Sequence, residues 1–330
     1  MKIAVDAMGG DHAPAAIVQG AVLASPDIQG TIVLVGDPSQ IQSHLPTPCP
    51  ANIEIHPASQ VIEMRDKPID AIRKKKDASL VVAAGLVSQG RADAIVSAGN
   101  TGAAVASCLL AWRQIAGFHR PAIATTMPSR REPFILLDAG ASPDVNPEHL
   151  VEFAVMGRAY SQRVMGRPSP AVHLVNIGSE EGKGNAFAQQ AFKLLSKYEW
   201  FKGNIEGKEM FEGNIDVVVC DAFVGNVVLK TSEGVAELLM KLIREQVPTS
   251  ALGKLPYLPM KRALEPLKRK LDYAEYGGSP LLGLNGLCII CHGRSNPKAI
   301  RNALLQAQKG IENKLVECMR TSISTKTGEL

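Results

Sequence analysis

The sequence predicts an α/β protein, a mostly parallel sheet with helices on both faces. Three observations predict it. Apolar, β-branched runs recur along the chain, and each ends in small residues or Asp. Several, such as Val217-Val218-Val219, are continuous rather than alternating, which is the pattern of a strand buried on both faces. Helical stretches lie between many of these runs, and strand alternating with helix means βαβ units.

In chain order the strand-like runs are Ile3–Met8, Ile32–Asp37, Ile53–Ala58, Ala94–Gly99, Ala122–Met127, Phe134–Gly140, Val172–Gly178, Ile215–Phe223 and Leu287–Gly293. Ala13–Ala24 follows the first as a helix, with Pro14 in its first turn. Ala78–Gln89 and Thr101–Ile115 flank the fourth run, and Pro147–Met165, Ala186–Tyr198 and Val227–Val247 follow later ones. No repeat, low-complexity tract or clear linker interrupts the rhythm. Residues 1–330 are therefore expected as one large α/β unit, or as two lobes.

The stretch 248–278 breaks the rhythm. It is rich in Pro, Leu and basic residues and reads as an arm or insertion. It carries Leu255, Leu258, Leu264, Leu267 and Leu271 among Lys261, Arg262, Lys268, Arg269 and Lys270. The last three leucines share one helical face. A basic amphipathic helix suits an anionic membrane surface or the face of a second subunit.

Composition excludes several classes. Apolar residues are 45% and charged residues 21%, ordinary for a globular chain. A formal net charge of +4 is too weak for a dedicated nucleic-acid protein, yet it suits an acidic partner or an anionic substrate. No apolar run approaches the roughly 20 residues that span a bilayer. With no signal peptide apparent, a cytoplasmic location with free thiols is the expectation for the six cysteines. Cys288-Ile289-Ile290-Cys291-His292 matches a haem-attachment pattern, but it reads as a buried strand, and such attachment needs export. Metal-ligand spacings are missing, and so is G-x-S-x-G. No cofactor or metal is expected, and the chemistry should rest on positioning and electrostatics.

Parallel sheets bind ligands at the carboxyl ends of their strands, so the segments after each strand hold the candidates. In Ser97–Gly102 a strand ends, glycines Gly99 and Gly102 turn the chain, and Asn100 and Thr101 open a helix. That arrangement cradles an anion on free N–H groups, or is simply a capped turn. Gly178–Gly184 is a second glycine-rich turn, where Lys183 beside Gly184 could face a phosphate or merely solvent. Gly9-Gly10-Asp11-His12 puts a carboxylate beside an imidazole, fit for acid–base work or for helix capping. Asp221 and Asn226 read as ligand contacts or as an Asx turn. His292 closes the last strand on the same edge. The run Arg73-Lys74-Lys75-Lys76, after Arg65 and Lys67, either docks an acidic protein or is a solvated helix face.

Taken together, the motifs resemble the phosphate acyltransferase (PlsX) family of bacterial phospholipid synthesis. The resemblance rests on Val5-Asp6-Ala7-Met8-Gly9-Gly10-Asp11, Ser97-Ala98-Gly99-Asn100-Thr101-Gly102-Ala103, Asn176-Ile177-Gly178 with Lys183-Gly184, Gly225-Asn226, and Tyr276-Gly277-Gly278-Ser279-Pro280-Leu281-Leu282-Gly283. It implies an isopropylmalate dehydrogenase-like fold related to phosphotransacetylase. It implies a homodimer that makes acyl-phosphate from acyl carrier protein thioesters and inorganic phosphate. It further implies peripheral attachment to the inner face of the cell membrane through the arm at Leu255–Leu271, and a product passed to a membrane glycerol-phosphate acyltransferase. Asp11, His12, Lys183 and His292 are then the expected catalytic residues. Gly9, Gly10, Gly99, Asn100, Thr101, Gly102, Gly184, Asp221 and Asn226 are the expected substrate-binding ones. The chain departs from the family pattern with Ser142 in place of Asn, Ala222 in place of Gly and Ser279 in place of Ala.

Overall fold

The computed structural model describes residues 1–245 and 273–324, with Glu265, Pro266 and Lys270 between them. Two sheets carry the chain. The first has seven strands in the order β3 (Ile53–Pro57), β2 (Thr31–Gly36), β1 (Lys2–Asp6), β4 (Ala94–Ser97), β12 (Leu287–Ile290), β11 (Ser279–Leu282) and β5 (Ala122–Ile123). Strands β3 to β12 of that row are parallel, and β11 runs antiparallel to both neighbours. The second has five strands in the order β6 (Thr125–Met127), β7 (Phe134–Leu137), β10 (Val217–Val219), β8 (Val172–Val175) and β9 (Phe201–Ile205). All are parallel except β6.

The continuous apolar runs behave as their composition requires. In β1, Ile3 and Val5 join a core with Ile17 and Ile300, while Ala4 between them joins another with Leu80 and Ala104. Successive side chains point to opposite faces, so helices cover both faces of the sheet.

Several boundaries differ from the pattern. The run Ala122–Met127 is shared between the sheets. Its first two residues close one sheet and its last three open the other, and the Ala124 N–H at the crossing donates to Pro280 O at 3.0 Å. The run Ile215–Phe223 is a strand only at Val217–Val219, because the next helix, Ala222–Glu245, starts five residues earlier than Val227. Strand β9 escapes the pattern because Gly203 and Asn204 dilute it. Strand β11, directly after the stretch expected as an arm, is not among the expected runs, and helices Pro68–Lys74, Pro297–Glu312 and Leu315–Ser324 are additional. Leu255, Leu258, Leu264, Leu267 and Leu271 fall outside the described residues. Among the described residues, no helix is long and apolar enough to cross a membrane.

Candidate active site

The carboxyl rim of the first sheet is built around Asp6. Its buried carboxylate accepts from Ser79 Oγ at 2.6 Å and Ser97 Oγ at 2.7 Å. Burial pushes its pKa up, while the two hydroxyls and the Met8 and Gly9 N–H groups oppose that shift. Gly9 lies directly on this carboxylate, and any Cβ there would collide with it. Gly10 turns the chain at φ +115°, and the Asp11 N–H then donates to Gly293 O at 2.8 Å. The ends of β1, β4 and β12 are thereby tied together. Asp11 and His12 stay exposed at the rim, with the Asp11 carboxylate beside Gly293.

Asn100 follows β4 and caps helix Thr101–Trp112, with Oδ1 accepting from Ala103 N at 3.0 Å. Its Nδ2 donates to the carbonyls of Met64 at 2.8 Å and Asp66 at 3.1 Å. Both amide hydrogens of Asn100 are thus spent inside the chain. Gly99 N–H is likewise taken by Ser97 Oγ at 3.1 Å. Thr101 and Gly102 remain. They are exposed in the first helical turn, where N–H groups lack intrahelical acceptors and the helix dipole is positive.

The rim of the second sheet has a different core. Asp138 is fully buried, and Ile123, Gly140, Ala141 and Ser142 each donate a backbone N–H to it over 2.8–3.0 Å. Ser142 is buried and its hydroxyl donates to Pro121 O at 2.8 Å, so this departure from the family pattern sits inside the scaffold. Helix Ala222–Glu245 then packs on the Asp138 carbonyl so closely that Gly225 admits no side chain. Asp221 is the cap of this helix, its Oδ1 accepting from Val224 N at 2.9 Å. One turn on, Asn226 stands beside Gly140.

The Gly178–Gly184 loop is closed on itself. Asn176 donates through Nδ2 to Lys183 O at 3.1 Å and accepts the Ile177 N–H at 2.8 Å. Gly184, at φ +87°, leans on that amide. Lys183 Nζ lies 3.7 Å from Glu180 Oε1 and is about half exposed.

Between the two rims opens a cavity of about 880 Å³. Of the residues expected from the sequence, Thr101, Asn226 and His292 line it. Gly9, Gly10, Asp11, His12, Gly99, Asn100, Gly102, Lys183, Gly184 and Asp221 lie outside its lining. Met127, Phe211, Leu229, Val235 and Leu239 make one long side of it apolar. The sequence reading missed Lys230 and Glu233. Lys230 Nζ is 3.1 Å from His292 Nε2 and 2.9 Å from Glu233 Oε2. Burial, and next the Lys230 charge, push the pKa of the half-buried His292 down. The missed signal was spacing. Lys230 stands four residues after Asn226, on the same helical face, once the helix is started at Ala222.

Fold and site define a class: a two-sheet α/β protein with a cavity between its strand-end rims that is lined by a helix start, a lysine and apolar side chains. Solved structures agree on the fold. A phosphotransacetylase from Streptococcus pyogenes superposes with TM-score 0.61 at 16% identity, covering 94% of each chain. A 4-hydroxythreonine-4-phosphate dehydrogenase from Klebsiella pneumoniae gives 0.52 at 13% identity, covering 93% of this chain and 98% of that one. The chain belongs to the family described as fatty acid synthesis protein, whose model matches residues 1–318. Its relatives include the phosphate acyltransferase of Pelotomaculum thermopropionicum, 48% identical over 327 residues covering 98% of this chain and 96% of the relative. The phosphate acyltransferase of Geobacter sulfurreducens is 45% identical, with the same coverage.

Proposed function

We propose that the protein is a phosphate acyltransferase that moves an acyl group from the thioester of an acyl carrier protein to inorganic phosphate. One observation carries this reading: Thr101 at a helix start and a set of apolar side chains line the same cavity. The apolar side takes the acyl chain, and the helix start takes the phosphate.

Phosphate sits on the Thr101 and Gly102 N–H groups, facing the Lys230 ammonium, which His292 and Glu233 hold in place. A phosphate oxygen attacks the thioester carbon and forms the new C–O bond. The tetrahedral oxyanion collapses, the C–S bond breaks, and the thiolate leaves with the bonding pair. The proton that the thiolate takes up comes from His12, exposed on the rim outside the cavity, or from His292 in its lining. Holding donor and acceptor in one cavity supplies much of the rate. No acyl-enzyme forms; the buried Cys220 and Cys291 thiols have raised pKa values, chiefly through desolvation, and are poor nucleophiles.

The same reading gives a cytoplasmic homodimer that touches the membrane through the arm and hands acyl-phosphate to a membrane glycerol-phosphate acyltransferase. The exposed apolar residues Val235, Leu238 and Leu242 on helix Ala222–Glu245 support a covering partner. The test is purified protein incubated with palmitoyl carrier protein and phosphate. Acyl-phosphate trapped as a hydroxamate is expected; none, or a label bound covalently to the protein, contradicts the reading. A second reading, transfer from acyl-coenzyme A, has the phosphotransacetylase folds in its favour. Comparing the two donors at equal concentration separates them.

A further inference from the structure

The basic run is not used by the reaction, yet the structure sets it against the reaction site. Asn100 holds it through the Met64 and Asp66 carbonyls. Pro68 packs on Gly102, and the Met64 methyl packs on Gly293. Segment 61–76 is thus a wall beside the helix N-terminus and the end of β12.

The wall is braced from within. The Asp66 carboxylate accepts from Lys75 Nζ at 2.7 Å and from the Glu63 N–H at 2.9 Å, and Lys75 Nζ also reaches Val61 O at 2.7 Å. Lys75 is therefore a strut. The other cations, Arg65, Lys67, Arg73, Lys74 and Lys76, are exposed, against only two exposed carboxylates, Glu63 and Asp70. This short segment accounts for most of the chain's formal +4. Between the cations stand two apolar side chains, Met64 at 45% and Ile69 at 57% exposure. Arg73 and Lys74 complement the dipole of helix Pro68–Lys74 from its last turn. Arg65, Lys67 and Lys76 lie outside that helix, so the dipole does not account for them.

We infer that this segment, with its five exposed cations and the exposed Met64 and Ile69, docks an acidic protein that brings the acyl thioester. The inference rests on the carrier-protein reading of the function. Its basis is charge complementarity and place: a donor too large to enter the cavity must settle on the rim beside it, and this segment is basic and lies against that rim. Charges of this kind steer encounter and hold register, so their loss raises KM and leaves the chemical step alone.

The experiment compares wild type with the Arg73→Glu/Lys74→Glu variant, using acyl carrier protein and phosphate as substrates. A control, Lys193→Glu/Lys197→Glu, makes the same charge change on helix Ala186–Leu195 and the turn after it, at the second sheet. The first variant should raise the KM for the acyl carrier protein about tenfold or more, as expected for charges that steer association. Its kcat and phosphate KM should stay within about twofold, and the control should match wild type. Arg73→Gln/Lys74→Gln should shift the carrier KM in the same direction by less. An unchanged carrier KM in both variants overturns the inference while the function stands. So does a fall in kcat with a rise in phosphate KM, since the segment would then be shaping the cradle. Loss of binding to phosphatidylglycerol vesicles with carrier kinetics intact would assign the face to lipid instead. A wild type that makes no acyl-phosphate overturns the function and the docking face with it.

Discussion

Two glycine-rich turns that look alike in sequence, Ser97–Gly102 and Gly178–Gly184, end in different structures. Each carries an asparagine whose amide fastens the chain. Asn100 sends its donors backward to residues 64 and 66, so the Thr101 and Gly102 N–H groups remain exposed at a helix start. Asn176 sends its donor forward onto Lys183 O and closes its own loop. The direction of one amide decides whether a turn is open to a ligand. Glycine content and a nearby lysine do not.

The comparison predicts a graded set of effects. The largest belongs to the scaffold between the turns. Asp138→Ala strands four N–H groups, those of Ile123 and Ser142 buried and those of Gly140 and Ala141 partly buried, and should cost about 3–5 kcal/mol of stability, read as a lower melting temperature or denaturant midpoint. A loss under about 1 kcal/mol would mean that the second rim is not held as described.

Lys230→Met should come next, on function. Loss of one charge-assisted contact to an anion is worth about 1.5–3 kcal/mol, so phosphate KM should rise roughly tenfold to a hundredfold with the fold intact. Asn100→Ala should cost about 1 kcal/mol as a lost cap, and should raise phosphate KM less than Lys230→Met does.

The imidazole gives a smaller, signed effect. Burial first and Lys230 second hold the His292 pKa below 6.5, so an NMR titration should place it there and should show it rising in Lys230→Met. The folded form then binds fewer protons than the unfolded chain. The stability His292 contributes is full above pH 6.5 and is lost as pH falls through 6.5 toward the folded value. The smallest effects belong to the closed loop. Gly182→Ala, with open space around the new methyl group, should stay within about 0.5 kcal/mol. Lys183→Ala should change phosphate KM less than either Asn100→Ala or Lys230→Met. A Lys183 effect larger than that of Lys230 would reverse the assignment of the two turns.

Much of the architecture was legible because burial on both faces leaves a mark in composition. The runs Ile3–Met8 and Ile215–Phe223 read as strands, and each supplies an interior strand of its sheet, β1 and β10. The split at Ala124 was not legible, since one apolar run of ordinary length carries no sign that it serves two sheets. Strand β11 was not legible because Ser279-Pro280-Leu281-Leu282 is short, holds a proline and carries no β-branched residue. At the site, the strand ends were readable from Gly, Asn and Asp, but which side chains face ligand depends on where their hydrogen bonds go. Asp221 and Asn100 proved to be helix caps, and Lys230 was overlooked because its helix was started too late.

The account turns on where inorganic phosphate binds, and a crystal of the protein soaked in phosphate decides it. Density is expected within hydrogen-bonding distance of the Thr101 and Gly102 backbone nitrogens, with Lys230 Nζ turned toward it. Density in the Gly178–Gly184 loop, with the Thr101 turn vacant, would contradict it.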